Sequence, residues 1–239
     1  GVPVVLVHGS LATGTDEWEA QRPLADAGYR LLVIDRRGYG RSPSAPGEDS
    51  LVAAEDIIAL LGDSAQLVGH SYGGLGAMLA AARRPEATRS LTLLEAPAPV
   101  PAERAPAWQE LVEQIAVLWG QPLSDEDWAI RFLSAVGSDP NQLPPELLAE
   151  AVELVPTFRN GRPFHEAEVP TAELAAAPFP KLVVSGGHHE GLEQMCTTLA
   201  DAIGASRATI GGAGHEIQFT GPPINEALLA LWRSADAAL

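Results

Sequence analysis

Ser71 stands in Gly69-His70-Ser71-Tyr72-Gly73, between the apolar run Gln66-Leu67-Val68 and a small-residue stretch, Gly74 to Ala82, with the character of a helix. A strand, a sharp turn and a helix would put Ser71 at the turn, with its hydroxyl pushed out above the sheet. Gly69 and Gly73 fit because neighbouring backbone comes too close there for a Cβ. A serine hydroxyl is a poor nucleophile at neutral pH. It needs a base within hydrogen-bond reach, an acid to orient the base, and donors for the oxyanion. His215, in Gly211-Gly212-Ala213-Gly214-His215-Glu216, follows the last strand-like run in a glycine-rich loop. An imidazole there can hang over the strand ends, and the order serine then histidine suits nucleophile and base.

Other reactive side chains carry less. Cys196 is the only cysteine, so no intrachain disulfide forms, and its helical spacing marks a small core residue. His188-His189, with Glu190 beside them, could suggest a metal site, but adjacent residues on an extended loop point apart. No third ligand lies at a characteristic spacing, so no metal and no other cofactor is expected.

These groups need a scaffold. Short runs rich in Val, Ile and Leu recur at Val4-Val7, Leu31-Ile34, Gln66-Val68, Leu91-Leu94, Lys181-Val184 and Arg207-Ile210. Continuous rather than alternating hydrophobicity predicts strands buried on both faces, hence an α/β fold with a mostly parallel sheet flanked by helices. Segments 18–27, 50–61, 71–83, 190–203 and 223–233 have the length and spacing of helices, with Pro85 and Gly204 punctuating two ends. The alternation breaks between Glu95 and Pro180. Residues 97–179 read as a helical lid, with helices near 102–119, 124–136 and 145–155 and an Ala/Pro-rich end at 175–180. Residues 1–96 and 180–239 form the core.

At 239 residues and 46% hydrophobic content the chain can bury a substantial core. Its formal charge of −16 disfavours nucleic acid and anionic membrane surfaces as partners. There is no run of 18 apolar residues and no signal-peptide pattern, so a cytoplasmic protein, monomer or homodimer, is expected. The first strand-like run begins almost at residue 1, which points to further residues before Gly1.

Taken together these features resemble the α/β-hydrolase fold family over nearly the whole chain. The matching motifs are Gly69-Gly73, His8-Gly9 after the first strand, Asp35-Arg36-Arg37-Gly38-Tyr39-Gly40-Arg41-Ser42 after the second, and Gly214-His215 near the end. The resemblance implies an N-terminal hairpin beyond the first strand, without which Leu31-Ile34 is a bare edge. It implies that the backbone N–H groups of Tyr72 and Ser10 are the oxyanion donors, with Leu11 able to displace Ser10. It places His70 beneath the turn as a structural residue, and Asp35 as a turn residue whose carboxylate accepts backbone hydrogen bonds.

The acid departs from the family pattern. The family commonly has an aspartate after the second-last strand, where this chain reads Ser185-Gly186-Gly187-His188-His189-Glu190-Gly191. Glu95, directly after Leu91-Leu94, is the preferred acid: a carboxylate following a buried run needs a partner, and some family members place the acid there. Glu190 is the alternative, although a glutamate in the first turn of a helix is already explained by the helix dipole.

The resemblance therefore implies a serine hydrolase acting on an ester, lactone or thioester. A serine nucleophile disfavours the dehalogenase and epoxide hydrolase reactions of the family, which use a carboxylate. C–C hydrolysis, acyl transfer and a non-catalytic binding protein are the alternatives. Trp108, Trp119, Trp128, Phe132, Phe158 and Phe164 imply an apolar substrate pocket, most of them packing the lid and a minority facing the serine.

Overall fold

The computed structural model describes residues 1–141 and 143–237; Gln142, inside the expected lid, and Ala238 and Leu239, at the end of the expected core, lie outside the described residues. Six strands form one sheet: β1 (Val2–Val7), β2 (Tyr29–Ile34), β3 (Ala65–His70), β4 (Thr88–Leu94), β5 (Lys181–Ser185) and β6 (Ser206–Thr209). Their order is β2-β1-β3-β4-β5-β6, with every neighbouring pair parallel. Every residue of β3 and β5 is buried. The continuous apolar runs follow from this, because each face of a central strand meets helices.

The pleat divides the sheet residues between two cores. Val5, Val7, Leu67, Leu91, Leu93 and Val183 face one side, where α2 (Ser50–Leu61), α3 (Ser71–Arg83) and α8 (Glu190–Ile203) pack. Val4, Leu6, Val68, Leu94, Leu182 and Val184 face the other, against Trp18, Leu24, Ile217 and α9 (Pro222–Asp236), which contributes Ile224, Leu228 and Trp232. Among the described residues β2 is one edge of the sheet, and its Val33 is 37% exposed. No helix among them is long and apolar enough to cross a membrane.

Between β4 and β5 lie α4 (Pro106–Trp119), α5 (Asp125–Ala135), α6 (Pro145–Arg159) and α7 (Thr171–Ala176). The first starts later than expected, because residues 102–105 form a turn closed by Arg104 N–H and Ala105 N–H on the Pro101 carbonyl, with Pro106 at the first helical position. The third runs on through Pro156 to Arg159: burial of Phe158 outweighs the one backbone bond the proline cannot make. The short α7 was not expected.

The predicted helix over 18–27 is absent. A four-residue α1 (Gly14–Glu17) comes first, and Glu19–Ala25 is a 3-10 helix with Pro23 inside it. An α-helix through Pro23 would lose a backbone bond and press the ring against the preceding turn, which a short 3-10 segment avoids. Gly204 ends α8 in the left-handed conformation.

The turn into α3 is held by close backbone approach. A Cβ on Gly73 would overlap the carbonyl oxygen of His8, and one on Gly69 would stand 2.7 Å from Gly74 Cα. Gly73→Ala forces β1 and α3 apart, and is expected to destabilise the protein by about 1–3 kcal/mol, measured by urea unfolding.

Candidate active site

The carboxyl ends of β1, β3, β4 and β5 converge on Ser71, the first residue of α3. Ser71 Oγ lies 3.1 Å from His215 Nε2, and His215 Nδ1 lies 2.7 Å from Glu95 Oε2. A carboxylate only accepts, so Nδ1 carries the proton and Nε2 turns its lone pair toward the serine hydroxyl. Glu95 is 1% exposed, and its other oxygen accepts the Gly186 N–H at 2.7 Å. These two bonds offset the cost of burying the charge.

Glu190 is elsewhere. It is exposed in the first turn of α8, and its side chain accepts from Gln194 Nε2 at 3.0 Å. The two adjacent histidines have separate jobs. His188 donates from Nε2 to the Val136 carbonyl at 2.9 Å and stands with Nδ1 3.6 Å from Glu95, while His189 Nδ1 accepts the Gly191 N–H and caps α8. Cys196 is fully buried, and burial pushes its thiol well up, as suits a core residue.

On the far side of Ser71, the His8-Gly9-Ser10 loop is fixed from below. Arg36 Nε donates to the His8 carbonyl at 2.9 Å and its Nη2 to the Gly9 carbonyl at 2.8 Å. Arg36 also pairs with Glu48 at 3.0 Å, and Glu48 accepts Tyr39 Oη at 2.6 Å and Ser10 Oγ at 2.8 Å. Burial raises the Glu48 carboxyl, and Arg36, Tyr39 and Ser10 oppose that rise. The Arg36 N–H donates to His8 Nε2, so the His8 proton is on Nδ1 and goes to the Gly9 carbonyl. Burial, then Arg36, holds His8 well below its ordinary value, so it stays neutral.

His70 is buried beneath the turn, bonded to Glu17 and to the His215 carbonyl. Asp35 accepts the N–H groups of Gly14 and Arg41 at 2.9 and 3.0 Å, as a turn residue should. Three residues other than glycine have positive φ among those described: Leu11 at 62°, Ser71 at 47° and Glu95 at 40°. All three stand at this site. Sequence reasoning missed Glu17, Arg36 and Glu48, because their partners are distant in the chain and a buried charge has the same letter as a solvated one.

Two cavities meet at Ser71. The smaller, about 30 Å³, is walled by Trp108, Leu111, Phe132, Phe158, Phe164 and Leu192. The other, about 70 Å³, opens on the His215 side between Leu133, Leu147, Ala151, Glu216 and Phe219. Four of the six aromatic residues singled out in 97–179 thus face the serine, and not the minority expected. Trp119 and Trp128 line neither cavity and pack against Phe158 at 4.8 and 5.4 Å between ring centroids, with Trp119 Nε1 donating to the Arg159 carbonyl at 3.1 Å. The reason is that α4, α5 and α6 turn their apolar faces to the sheet end as well as to each other.

The family model of the alpha/beta hydrolase fold matches residues 2–222. An AB hydrolase superfamily protein of Bacillus subtilis is 36% identical over 107 residues, which is 41% of this chain and 37% of that protein. An epoxide hydrolase of Caballeronia sordidicola is 38% identical over 105 residues, 41% of this chain and 32% of that one. The chain thus aligns with about a third of the length of these curated relatives. Among solved structures, a thermophilic esterase from Thermogutta terrifontis superposes with a TM-score of 0.74 at 24% identity, covering 98% of this chain and 90% of that one. A family match spanning nearly the whole sequence, on a six-stranded parallel sheet with Ser71 at the turn from β3 into α3, makes this chain a member of the α/β-hydrolase fold family.

Proposed function

We propose that the chain is a serine hydrolase that cleaves a carboxylic ester, lactone or thioester with an apolar acyl or alcohol part through an acyl-enzyme. The observation that carries this reading is the line of hydrogen bonds Ser71–His215–Glu95 at 3.1 and 2.7 Å. Ser71 Oγ attacks the carbonyl carbon as its proton passes to His215 Nε2. Glu95 orients the ring and offsets the imidazolium charge, and the N–H groups of Tyr72 and Ser10 hold the oxyanion. His215 then returns the proton to the leaving oxygen or sulfur. Water, deprotonated by the same imidazole, releases the acid and frees Ser71.

Residues 97–179 serve as the lid, their aromatic side chains excluding water from the acyl group. The epoxide hydrolase reading is disfavoured, since that reaction needs a carboxylate nucleophile where Ser71 stands. A purely binding protein drew its support from the missing aspartate after β5; the bond of Glu95 to His215 supports the catalytic reading over it. Among the described residues no Lys or Arg lines either cavity, so a neutral substrate suits the site better than an anion.

A fluorophosphonate added to the purified protein is expected to give one covalent adduct by intact mass, absent in Ser71→Ala; an unmodified wild-type protein would sink the reading. Glu95→Gln is expected to lower kcat by about three to four orders of magnitude, with Glu190→Gln close to wild type, in a p-nitrophenyl ester assay. The cavity of about 30 Å³ holds little more than a methyl or ethyl tail. Acetate and propionate esters should therefore exceed octanoate in kcat/KM by at least roughly tenfold, and Leu111→Ala should move the optimum to longer acyl chains.

A further inference from the structure

A second buried histidine–glutamate pair lies under the nucleophile turn and takes no part in the bond-making steps. The side chains of His70 and Glu17 are 4% and 2% exposed, with Nδ1 3.0 Å from Glu17 Oε1. On the other side of the ring, Nε2 is 3.0 Å from the His215 carbonyl oxygen. The Glu17 carboxylate also receives the Gly9 N–H, at 3.1 and 3.0 Å to its two oxygens. One unbroken line of hydrogen bonds thus runs from the loop before Ser10, through Glu17 and His70, to the backbone of His215. Glu17 and His70 line the cavity of about 70 Å³ together with Ser71 and His215.

Each ring nitrogen of His70 has an oxygen acceptor at 3.0 Å, and the Gln218 amide nitrogen stands farther off, 3.4 Å from Nδ1. The carbonyl can only accept, so Nε2 carries a proton; an ionised Glu17 can only accept, so Nδ1 carries one as well. The ring is then an imidazolium whose counter-ion is Glu17. The neutral alternative, a protonated Glu17 donating to Nδ1, removes the charge from the carboxylate that holds Gly9 N–H.

We propose that Glu17 and His70 are a positioning pair that ties the base His215 to the Gly9 backbone, so that base and oxyanion loop keep one register about Ser71. This rests on the hydrolase reading above. The groups facing His70 are consistent with a cation. Glu17 comes from α1, Glu95 from the end of β4, and Glu216 from the loop after β6. His8 at the end of β1 is neutral, Gln218 is uncharged, and the His215 ring stands 4.8 Å away between centroids. Burial lowers the proton affinity of His70, but Glu17 first, then Glu216 and Glu95, carry it above the ordinary value of 6.5. A histidine raised on folding contributes fully below its unfolded value, and the contribution is lost as pH rises through the folded one. The tie therefore loosens on the alkaline side.

The test has two arms. In ¹⁵N-histidine-labelled protein, with the signal assigned by His70→Gln, the His70 ring is expected to carry two N–H protons at neutral pH and to titrate at lower pH in Glu17→Gln. This arm does not depend on turnover. In ester hydrolysis, Glu17→Gln is expected to move the alkaline limb of kcat/KM to lower pH and to lower kcat about tenfold with KM little changed, while Glu17→Asp restores the limb. Thermal unfolding of each variant separates this from loss of fold, which would lower the folded fraction without moving the limb. A His70 ring with a single proton throughout, or a Glu17→Gln profile that overlays wild type, overturns the pair. Absence of any Ser71-dependent turnover in the wild type sinks the hydrolase reading instead, and the NMR arm alone then decides the protonation state.

Discussion

A carboxylate taken out of water without compensation costs several kcal/mol, and among the described residues three are buried at one end of the sheet: Glu17, Glu48 and Glu95. Each is answered differently. Glu95 takes the Gly186 N–H and His215, Glu17 takes the Gly9 N–H and His70, and Glu48 takes Arg36, Tyr39 and Ser10. The donors come from the loops after β1, β2, β5 and β6 and from His70, the last residue of β3. Satisfying three buried charges therefore fixes the mutual positions of nearly every loop at the carboxyl end of the sheet, which is where open parallel sheets bind their ligands. Removing one donor leaves a charge with no solvent to turn to, so the loops hold as a group.

The glycines at the turn from β3 into α3 serve the same constraint from the backbone side. Gly73 lets α3 lie on the His8 carbonyl, and the Arg36 guanidinium donates to that same carbonyl. The loop after β1 is thus pinned between a helix N-terminus and a buried cation. Its Gly9 and Ser10 have no freedom to drift from Ser71.

Much of this fold was legible in the sequence, because a strand buried on both faces has a run of apolar letters as its signature and β1, β3, β4 and β5 all carry it. Helices 50–61, 71–83 and 190–203 were legible for the corresponding reason of spacing, and Gly204 marked an end that only a residue tolerant of positive φ makes easily. The segment after residue 13 was not: Pro23 breaks the helical pattern, and whether the chain then forms a 3-10 turn depends on Trp18 and Leu24 docking on the sheet. At the site, Ser71 and His215 had local signatures. Glu95 was reachable through an argument about cost and a family resemblance, since which glutamate meets His215 depends on how β4 and β5 lie side by side. Glu17 and Glu48 had no signal at all. Their partners His70 and Arg36 are 53 and 12 residues away, and the distances that join them are properties of the folded sheet.

The backbone gives an independent view of the same place. A residue with a Cβ in the left-handed region is uncommon and costs of order 1–3 kcal/mol unless its surroundings compel it. Leu11, Ser71 and Glu95 each follow the carboxyl end of a different strand, β1, β3 and β4. Strain scattered by chance would not choose three neighbouring strand ends. What the positions share is a requirement to turn sharply off the sheet while presenting a specific group to a common point: the Glu95 carboxylate to His215, the Ser71 hydroxyl to the same ring, and the loop at Leu11 to the space beside the serine. Packing and hydrogen bonding elsewhere compensate this cost, and the buried carboxylate network is the part of the structure rigid enough to do so. The strained positions and the buried charges are thus two sides of one arrangement, which holds Ser71, His215 and the loop after β1 at fixed separations before any ligand arrives.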